Sequence, residues 1–124
     1  MRVGDLVTPA LVADLGGLAH NVSTMATARP GAALRPHVKA FQCTELAARL
    51  WDAGHHAFCC ATVREVEGMV AAGLGSDLLL ANEVVDVGRL AVLGALVAEG
   101  KGRVTVAVDS PETIAAASGT GIRG

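Results

Sequence analysis

Residues 57–81, "AFCCATVREVEGMVAAGLGSDLLLA", decide the fold class. The segment begins with AFCCA and ends with DLLLA, two apolar runs of the length that buried strands have. Between them, Thr62 and Glu65 have the spacing of a capping box, which starts a helix, and Gly73 follows the last turn of the helical pattern. The order strand, helix, strand predicts a β-α-β unit with two parallel strands.

The same alternation extends along the rest of the chain. The predicted strands are 10–14, 33–38, 57–61, 77–81 and 103–108. Apolar residues at three- and four-residue spacing, with helix-start and helix-stop residues around them, predict a helix after each strand. The helices are marked by Leu15 to Met25, Thr44 to Leu50, Thr62 to Val70, Leu90 to Val97, and Ser110 with Pro111. We therefore expect an α/β fold with a parallel sheet.

Two architectures share this pattern. A doubly wound nucleotide-binding sheet is disfavoured, because G-x-G-x-x-G is missing and Gly16 and Gly17 lack its spacing. A (β/α)8 barrel fits the repeat but needs ~250 residues. We therefore predict that residues 1–124 form the N-terminal half of such a barrel. In this prediction the four strands after the first strand-helix pair belong to the barrel, the chain stops at SGTGIRG, before a fifth barrel strand, and the second barrel half is absent.

Composition excludes several classes of function. Apolar residues make up 52% of the chain, which argues against disorder. The net charge is -2, and no basic block with interleaved aromatics is present, so a nucleic-acid partner is not expected. No apolar run approaches the ~18 residues of a membrane span. Asp5 and Asp14 interrupt any signal-like core, so we expect a cytoplasmic protein without a membrane partner.

The cysteines and neighbouring histidines give no metal-site pattern. Cys43, Cys59 and Cys60 are three in number, and the last two are adjacent, so neither a disulfide framework nor C-x-x-C spacing results. We expect Cys59 and Cys60 to be small core residues. His55 and His56 precede a predicted strand and are interpreted as loop residues rather than metal ligands.

A cationic stripe distinguishes the second predicted strand. In "RPHVKAFQC", residues 35–43, Arg35, His37 and Lys39 occupy alternate positions, so a strand places them on one face. In a barrel this face points inward, with Lys39 nearest the carboxyl-end mouth where barrel enzymes place their chemistry. The alternative is a solvated edge strand, and Pro36 supports it, because proline prefers sheet edges.

The positions of the lysines favour an inward orientation of the cationic stripe. The chain has two lysines, and Lys101 lies in the turn GKGR, where it is expected to be solvated. A buried Lys39 is costly as a cation, but a lysine consumed in an imine avoids that cost. Neighbouring Arg35 and His37 disfavour a further positive charge.

Four segments resemble, in order, the N-terminal barrel half of the D-threonine aldolase and D-serine dehydratase-like enzymes. They are TPALVADLGGLAHNVSTM, LRPHVKAFQC, CCATVREVEGMVAAGLGSDLLLANEVVD and VTVAVDS. These enzymes are fold-type III pyridoxal-phosphate (PLP) proteins related to the alanine racemase N-terminal domain. The resemblance runs from Thr8 to Ser110, and R-P-H-x-K at residues 35–39 is its most specific element. The family commonly continues T-H-K, where this chain has Ala40, Phe41 and Gln42.

The resemblance implies a PLP-binding barrel followed by a C-terminal β-domain, with a divalent metal whose ligands lie outside this chain. It maps the lysine of the internal aldimine onto Lys39, with His37 and Arg35 as cofactor-binding neighbours. The implied activity is that of a lyase cleaving D-3-hydroxy amino acids. D-serine dehydratase, an amino acid racemase and a non-catalytic PLP-binding protein are the alternatives.

The implied partners are a D-amino acid and, at full length, a second copy of the protein. A half-barrel leaves open sheet edges, so we expect the isolated 124-residue chain to be inactive and to self-associate.

Secondary roles are expected for polar residues near the predicted mouth. His37 either orients Lys39 or stacks near the cofactor. Arg35 is expected to pair with Glu65 or Glu83 inside the barrel. Asn82, like Glu83, directly follows DLLLA, and both residues either line the site or cap the next helix.

Overall fold

The computed structural model describes residues 2–122. Five α-helices and three strands follow one another along the chain. In order they are α1 (Leu15–Ala28), α2 (Thr44–Asp52), β1 (Phe58–Cys60), α3 (Val63–Ala71), β2 (Leu78–Glu83), α4 (Val87–Ala98), β3 (Val104–Ala107) and α5 (Pro111–Ala117). Short 3-10 turns cover Val3–Asp5, Gly31–Ala33 and Val38–Ala40. Within residues 2–122, no helix combines the length and apolar character that a membrane crossing requires.

The three strands form one parallel sheet in the order β1-β2-β3. Phe58 is level with Leu78, and Leu78 is level with Val104, so the apolar positions of all three strands coincide. The α/β class and the parallel strands that the repeat predicted are confirmed. Helices α3 and α4 join consecutive strands, as a crossover between parallel neighbours requires.

The two faces of the sheet differ in burial. Phe58, Leu78 and Val104 are at most 1% exposed and form the core with the helices. One residue further along each strand, Cys59, Leu79 and Thr105 lie on the opposite face and are only partly buried. We call this second surface the open face. No element within residues 2–122 buries it fully, so the helices cover only the other side of the sheet.

Two of the five strand predictions are wrong. Residues 10–14 form no strand, and Leu11 is 95% exposed, because this segment has no sheet neighbour to supply a hydrogen-bond ladder. Residues 33–38 make a single parallel bridge, between His37 and Cys59. At that bridge the amide of Cys59 donates to the Pro36 carbonyl over 2.8 Å, whereas Pro36 itself has no N–H to donate.

The five predicted helices all form, and side-chain caps explain where four of them begin. Asp14, Thr62, Asp86 and Ser110 accept hydrogen bonds from first-turn amides of their helices. The first helix differs from the rest in its surroundings. None of its residues is buried, so its apolar stripe packs weakly against the described part of the chain.

An ion cluster holds the amino ends of the strands together. Asp77 directly precedes β2, and its Oδ2 lies 2.9 Å from Nη2 of Arg35 and 2.9 Å from Nη2 of Arg103. Nη1 of Arg35 also donates to the Asp77 carbonyl over 3.1 Å and to the Phe58 carbonyl over 3.4 Å. Partial burial by itself raises the pKa of Asp77, but the hydrogen bonds and charges of the two arginines outweigh it and lower that pKa.

The expected pairing of Arg35 with Glu65 or Glu83 is therefore wrong. Arg35 lies two residues before the bridge at His37, which places it level with the start of β1. Glu65 and Glu83 lie beyond the other ends of the strands, at or after their carboxyl termini. The carboxylate within reach is that of Asp77, because it sits at the same end of the sheet.

We expect Asp77→Asn to lower the free energy of unfolding at pH 7 by about 1–2 kcal/mol, between the values for exposed and buried pairs. Because the folded-state pKa of Asp77 is lowered, its stabilisation is fully present above the unfolded pKa of about 3.9 and is lost as the pH falls through the folded value. Urea unfolding at pH 7 and at progressively lower pH measures the difference, which should shrink on acidification.

Glu99→Gln is the matched control, because Glu99 pairs with Lys101 at an exposed site. It should change the unfolding free energy by less than about 0.5 kcal/mol. Equal effects of the two substitutions at pH 7 would contradict the structural role of the cluster.

The open face and the outer edge of β3 predict self-association of the 124-residue chain. Within the described residues β3 pairs on one side only, and an unpaired strand edge can pair with another chain. Light scattering coupled to size exclusion should show species larger than a monomer, and fewer of them in Thr105→Lys, which adds a charge to the open face. A uniform monomer over a wide concentration range would rule this prediction out.

Candidate functional site

Lys39 lies in a 3-10 turn, Val38–Ala40, immediately after the bridge at His37. The sequence placed it at the end of a strand, and the structure corrects this: the extended backbone ends at His37, two residues before Lys39. His37 caps the turn, because its ring Nδ1 accepts the amide N–H of Lys39 over 3.3 Å. The buried side chain of Val38 anchors the turn to the core, and the Lys39 side chain is exposed.

The charge of Lys39 reaches the open face of the sheet. Burial raises the pKa of the Cys59 thiol above its ordinary value, and the positive charges of Arg35 and Lys39 oppose that rise. Cys59 belongs to the open face, so the Lys39 amine lies within electrostatic range of that surface.

Gln42 ends the turn in an unusual backbone conformation. Its φ is 46°, the left-handed region, and no other non-glycine residue described here has a positive φ. The amides of Phe41 and Gln42 both donate to the Val38 carbonyl, over 3.1 and 2.8 Å. These two bonds close the chain around Lys39.

Glu65 lies opposite Gln42, in the first turn of α3. The predicted capping box forms in part: the amide of Glu65 donates to Oγ1 of Thr62 over 3.2 Å. The Glu65 carboxylate reaches one residue further back than expected, and its Oε2 accepts the amide of Ala61 over 2.6 Å. Its other oxygen, Oε1, lies 3.5 Å from Nε2 of Gln42.

A cleft of about 480 Å³ separates the two segments. The end of the Lys39 turn and the start of α2 form one wall, and the start of α3 forms the other. Gln42 and Glu65 are both on its lining, so their contact spans the cleft.

Asn82 and Glu83 lie at the carboxyl end of β2, as the sequence predicted. The β2–β3 register shifts between Leu80 and Glu83, an irregularity that redirects side chains at a strand end. Asn82 uses its Nδ2 to donate to the Ala61 carbonyl over 3.1 Å. Neither residue caps α4, because Asp86 accepts the amide of Arg89 over 3.0 Å and fills that role.

The site residues predicted from the sequence thus separate into two groups. Lys39, His37, Asn82 and Glu83 lie toward the carboxyl ends of the strands, whereas Arg35 lies at the amino ends in the ion cluster. Two participants were missed by the sequence reasoning. Asp77 had a signal, since it is the acidic first residue of DLLLA, but Gln42 had none, because its conformation depends on the turn.

The remaining candidates play structural parts. His55 lies in the connection between α2 and β1, as expected, but it is fully buried there, and its Nδ1 pairs with the Gly31 carbonyl over 3.2 Å. His56 contacts the Trp51 ring, with 4.3 Å between centroids. Burial, followed by the negative charge of Glu65, raises the pKa of the Cys60 thiol to about 12, so this thiol stays protonated. Across residues 2–122, no three His, Cys, Asp or Glu side chains are grouped closely enough to hold a metal ion.

Comparison with known proteins identifies relatives of the whole segment. The chain is 39% identical over 113 residues to the D-threonine aldolase of Arthrobacter sp., which covers 90% of this chain and 29% of that protein. The crystal structure of D-threonine aldolase from Filomicrobium marinum superimposes with a TM-score of 0.85 at 35% identity. That match covers 95% of this chain and 32% of the crystallised one, so the chain spans less than a third of either relative's length.

A family model, that of the alanine racemase N-terminal domain, matches residues 13–123. This range includes the Lys39 turn, the cleft and all three strands. The chain therefore belongs to the family of the alanine racemase N-terminal domain.

Proposed function

We propose that this chain is the N-terminal part of a PLP-dependent lyase that cleaves D-3-hydroxy amino acids, and that Lys39 binds the cofactor covalently. The observation that carries the proposal is the position of Lys39: an exposed amine on an anchored turn, beside the carboxyl ends of a parallel sheet. The similarity of the chain to two D-threonine aldolases supports the reaction type.

We further propose that the sheet is part of a (β/α)8 barrel and that the open face lines its interior. Helices cover one face of the sheet, as in a barrel, whereas a doubly wound sheet carries helices on both. The partly buried state of Cys59, Leu79 and Thr105 supports this, because an interior face lacks its packing partners until the remaining strands are in place. In a barrel the Lys39 turn lies at the mouth used for chemistry.

The residues present fit the attachment of an aldehyde cofactor. Lys39 forms no ion pair within the described chain, so its amine is available for a covalent bond. His37 fixes the backbone of Lys39 through its ring nitrogen, and therefore acts as a positioning residue. Asn82 and Glu83 are exposed at the same end of the sheet and are proposed to line the substrate side.

When bound, PLP supplies an electron sink for the bond that breaks at the substrate α-carbon. The residues of this chain hold and orient the cofactor rather than perform the cleavage alone. Among the described residues, no group of His, Cys, Asp or Glu side chains fits a divalent metal. The D-amino acid substrate and a homodimeric assembly are proposals for the whole protein.

We expect PLP to attach to Lys39 in preference to Lys101. The chain incubated with limiting PLP, reduced with borohydride and digested should yield the modified Lys39 peptide by mass spectrometry, because reduction makes the linkage permanent. Lys39→Arg should lose this product, and Lys101→Arg, the matched control at an exposed loop, should keep it. Equal labelling of both lysines, or labelling of Lys101 alone, would contradict the proposal.

The reaction type has its own test. A protein carrying this chain together with the remaining length of its relatives should cleave D-threonine to glycine and acetaldehyde, and Lys39→Arg should abolish the cleavage. A Lys39 adduct without any turnover of D-3-hydroxy amino acids would instead indicate a non-catalytic PLP-binding protein.

A further inference from the structure

We propose that Glu65 and Gln42 are positioning residues that hold the Lys39 turn against the first turn of α3 and so set the place of the Lys39 amine. This inference rests on the proposed function, because the turn matters only if Lys39 carries a ligand. It adds a series of hydrogen bonds that runs from the carboxyl ends of β1 and β2 to the end of the turn. This series is separate from any contact with the cofactor or the substrate.

The Lys39 turn is restrained at both ends, and the side chains in its middle are exposed. His37 bridges to β1 before the turn, and Val38 is buried beneath it. Lys39 and Ala40 are exposed, so their placement depends on how the chain is held after them. The residue that follows the partly buried Phe41 is Gln42, whose side chain reaches toward α3.

The left-handed backbone conformation of Gln42 supports a positioning role for its side chain. A left-handed φ of 46° is easy for glycine and costs free energy for most other residues. Such conformations persist where surrounding contacts hold them, and they cluster at functional sites. Glycine would satisfy the turn without strain, and its absence here is consistent with a need for the amide that contacts Glu65.

Glu65 is well suited to be the fixed partner. Its 2.6 Å bond from the Ala61 amide is a short, charge-assisted hydrogen bond, which is the strong kind. The carbonyl of Ala61 in turn accepts Nδ2 of Asn82 over 3.1 Å. The backbone N–H and the carbonyl of Ala61 are thus both hydrogen-bonded. Through them the Glu65 carboxylate is connected to the carboxyl ends of two strands.

The longest of these three contacts is the one between Glu65 and Gln42. At 3.5 Å it is long for a hydrogen bond, so a change of side-chain length or charge at residue 42 should alter it measurably. Shortening the side chain removes the contact, and a guanidinium converts it into a charge-assisted pair. These opposite expectations make the link testable in both directions.

The test uses hydrogen exchange of the Phe41 amide, which donates to the Val38 carbonyl inside the turn. Gln42→Asn introduces a residue type that tolerates left-handed backbone better than glutamine does, but its side chain is too short to reach Glu65. We expect exchange at Phe41 to become roughly two- to tenfold faster, the range that one net hydrogen bond gives. Gln42→Arg should slow it below the unaltered chain, and Glu65→Gln should abolish that gain.

Glu67→Gln is the matched control, since Glu67 is exposed on the same helix. It should leave exchange at Phe41 unchanged. Unchanged exchange in Gln42→Asn would overturn the proposal. So would an equal acceleration at β2 amides, because that indicates general destabilisation rather than a loosened turn.

The effect on Lys39 is read from the same variants by PLP labelling. The ratio of Lys39 to Lys101 adduct after borohydride reduction should fall in Gln42→Asn and recover in Gln42→Arg. A ratio that stays constant while the turn loosens would overturn the positioning role. Absence of any Lys39 adduct in the unaltered chain would instead contradict the proposed function, whatever the exchange rates show.

Discussion

The structure depends on the register of its three parallel strands. Because Phe58, Leu78 and Val104 stand level with one another, every second side chain of the sheet enters one core with the helices. The alternate residues are then forced onto the opposite face, since side chains on a strand alternate. A shift of one residue in any strand would exchange the faces of that strand and remove a phenylalanine, leucine or valine from the core.

This register also separates the two ends of the sheet chemically. At the amino ends, Asp77 gathers Arg35 and Arg103 into an ion cluster that fastens three segments. At the carboxyl ends, Ala61 and Glu65 form a polar network that extends to Gln42 beside the Lys39 turn. In a parallel sheet the carboxyl ends of all strands lie at the same end of the sheet, so residues far apart in sequence become neighbours there. The division matches the barrel proposal, in which one end stabilises and the other carries chemistry.

The segment around Lys39 shows which part of a local structure the residue pattern predicts and which part it does not. Alternation of Arg35, His37 and Lys39 predicted a strand with three cations on one face. The structure keeps the extended backbone only to the bridge at His37, and then turns. Arg35 and His37 retain their alternate positions, yet they serve different ends of the molecule. Pairing decides this, because an extended segment becomes a strand only where a neighbour completes its hydrogen bonds.

The sequence by itself determined the repeating order of strands and helices. Apolar runs at 57–61, 77–81 and 103–108 can only be buried, and Thr62, Asp86 and Ser110 cap helices through contacts within a few residues. The R-P-H-x-K motif likewise predicts that Lys39 binds the cofactor, and this stays a prediction.

Only the tertiary structure decided which charges meet and where the chain turns. Arg35 pairs with Asp77 rather than with Glu65, and Gln42 adopts a left-handed backbone opposite that glutamate. The physical reason is range. Capping and periodic burial act over one or two turns of chain, whereas these contacts join residues that are distant in sequence and meet only after the sheet has set its register.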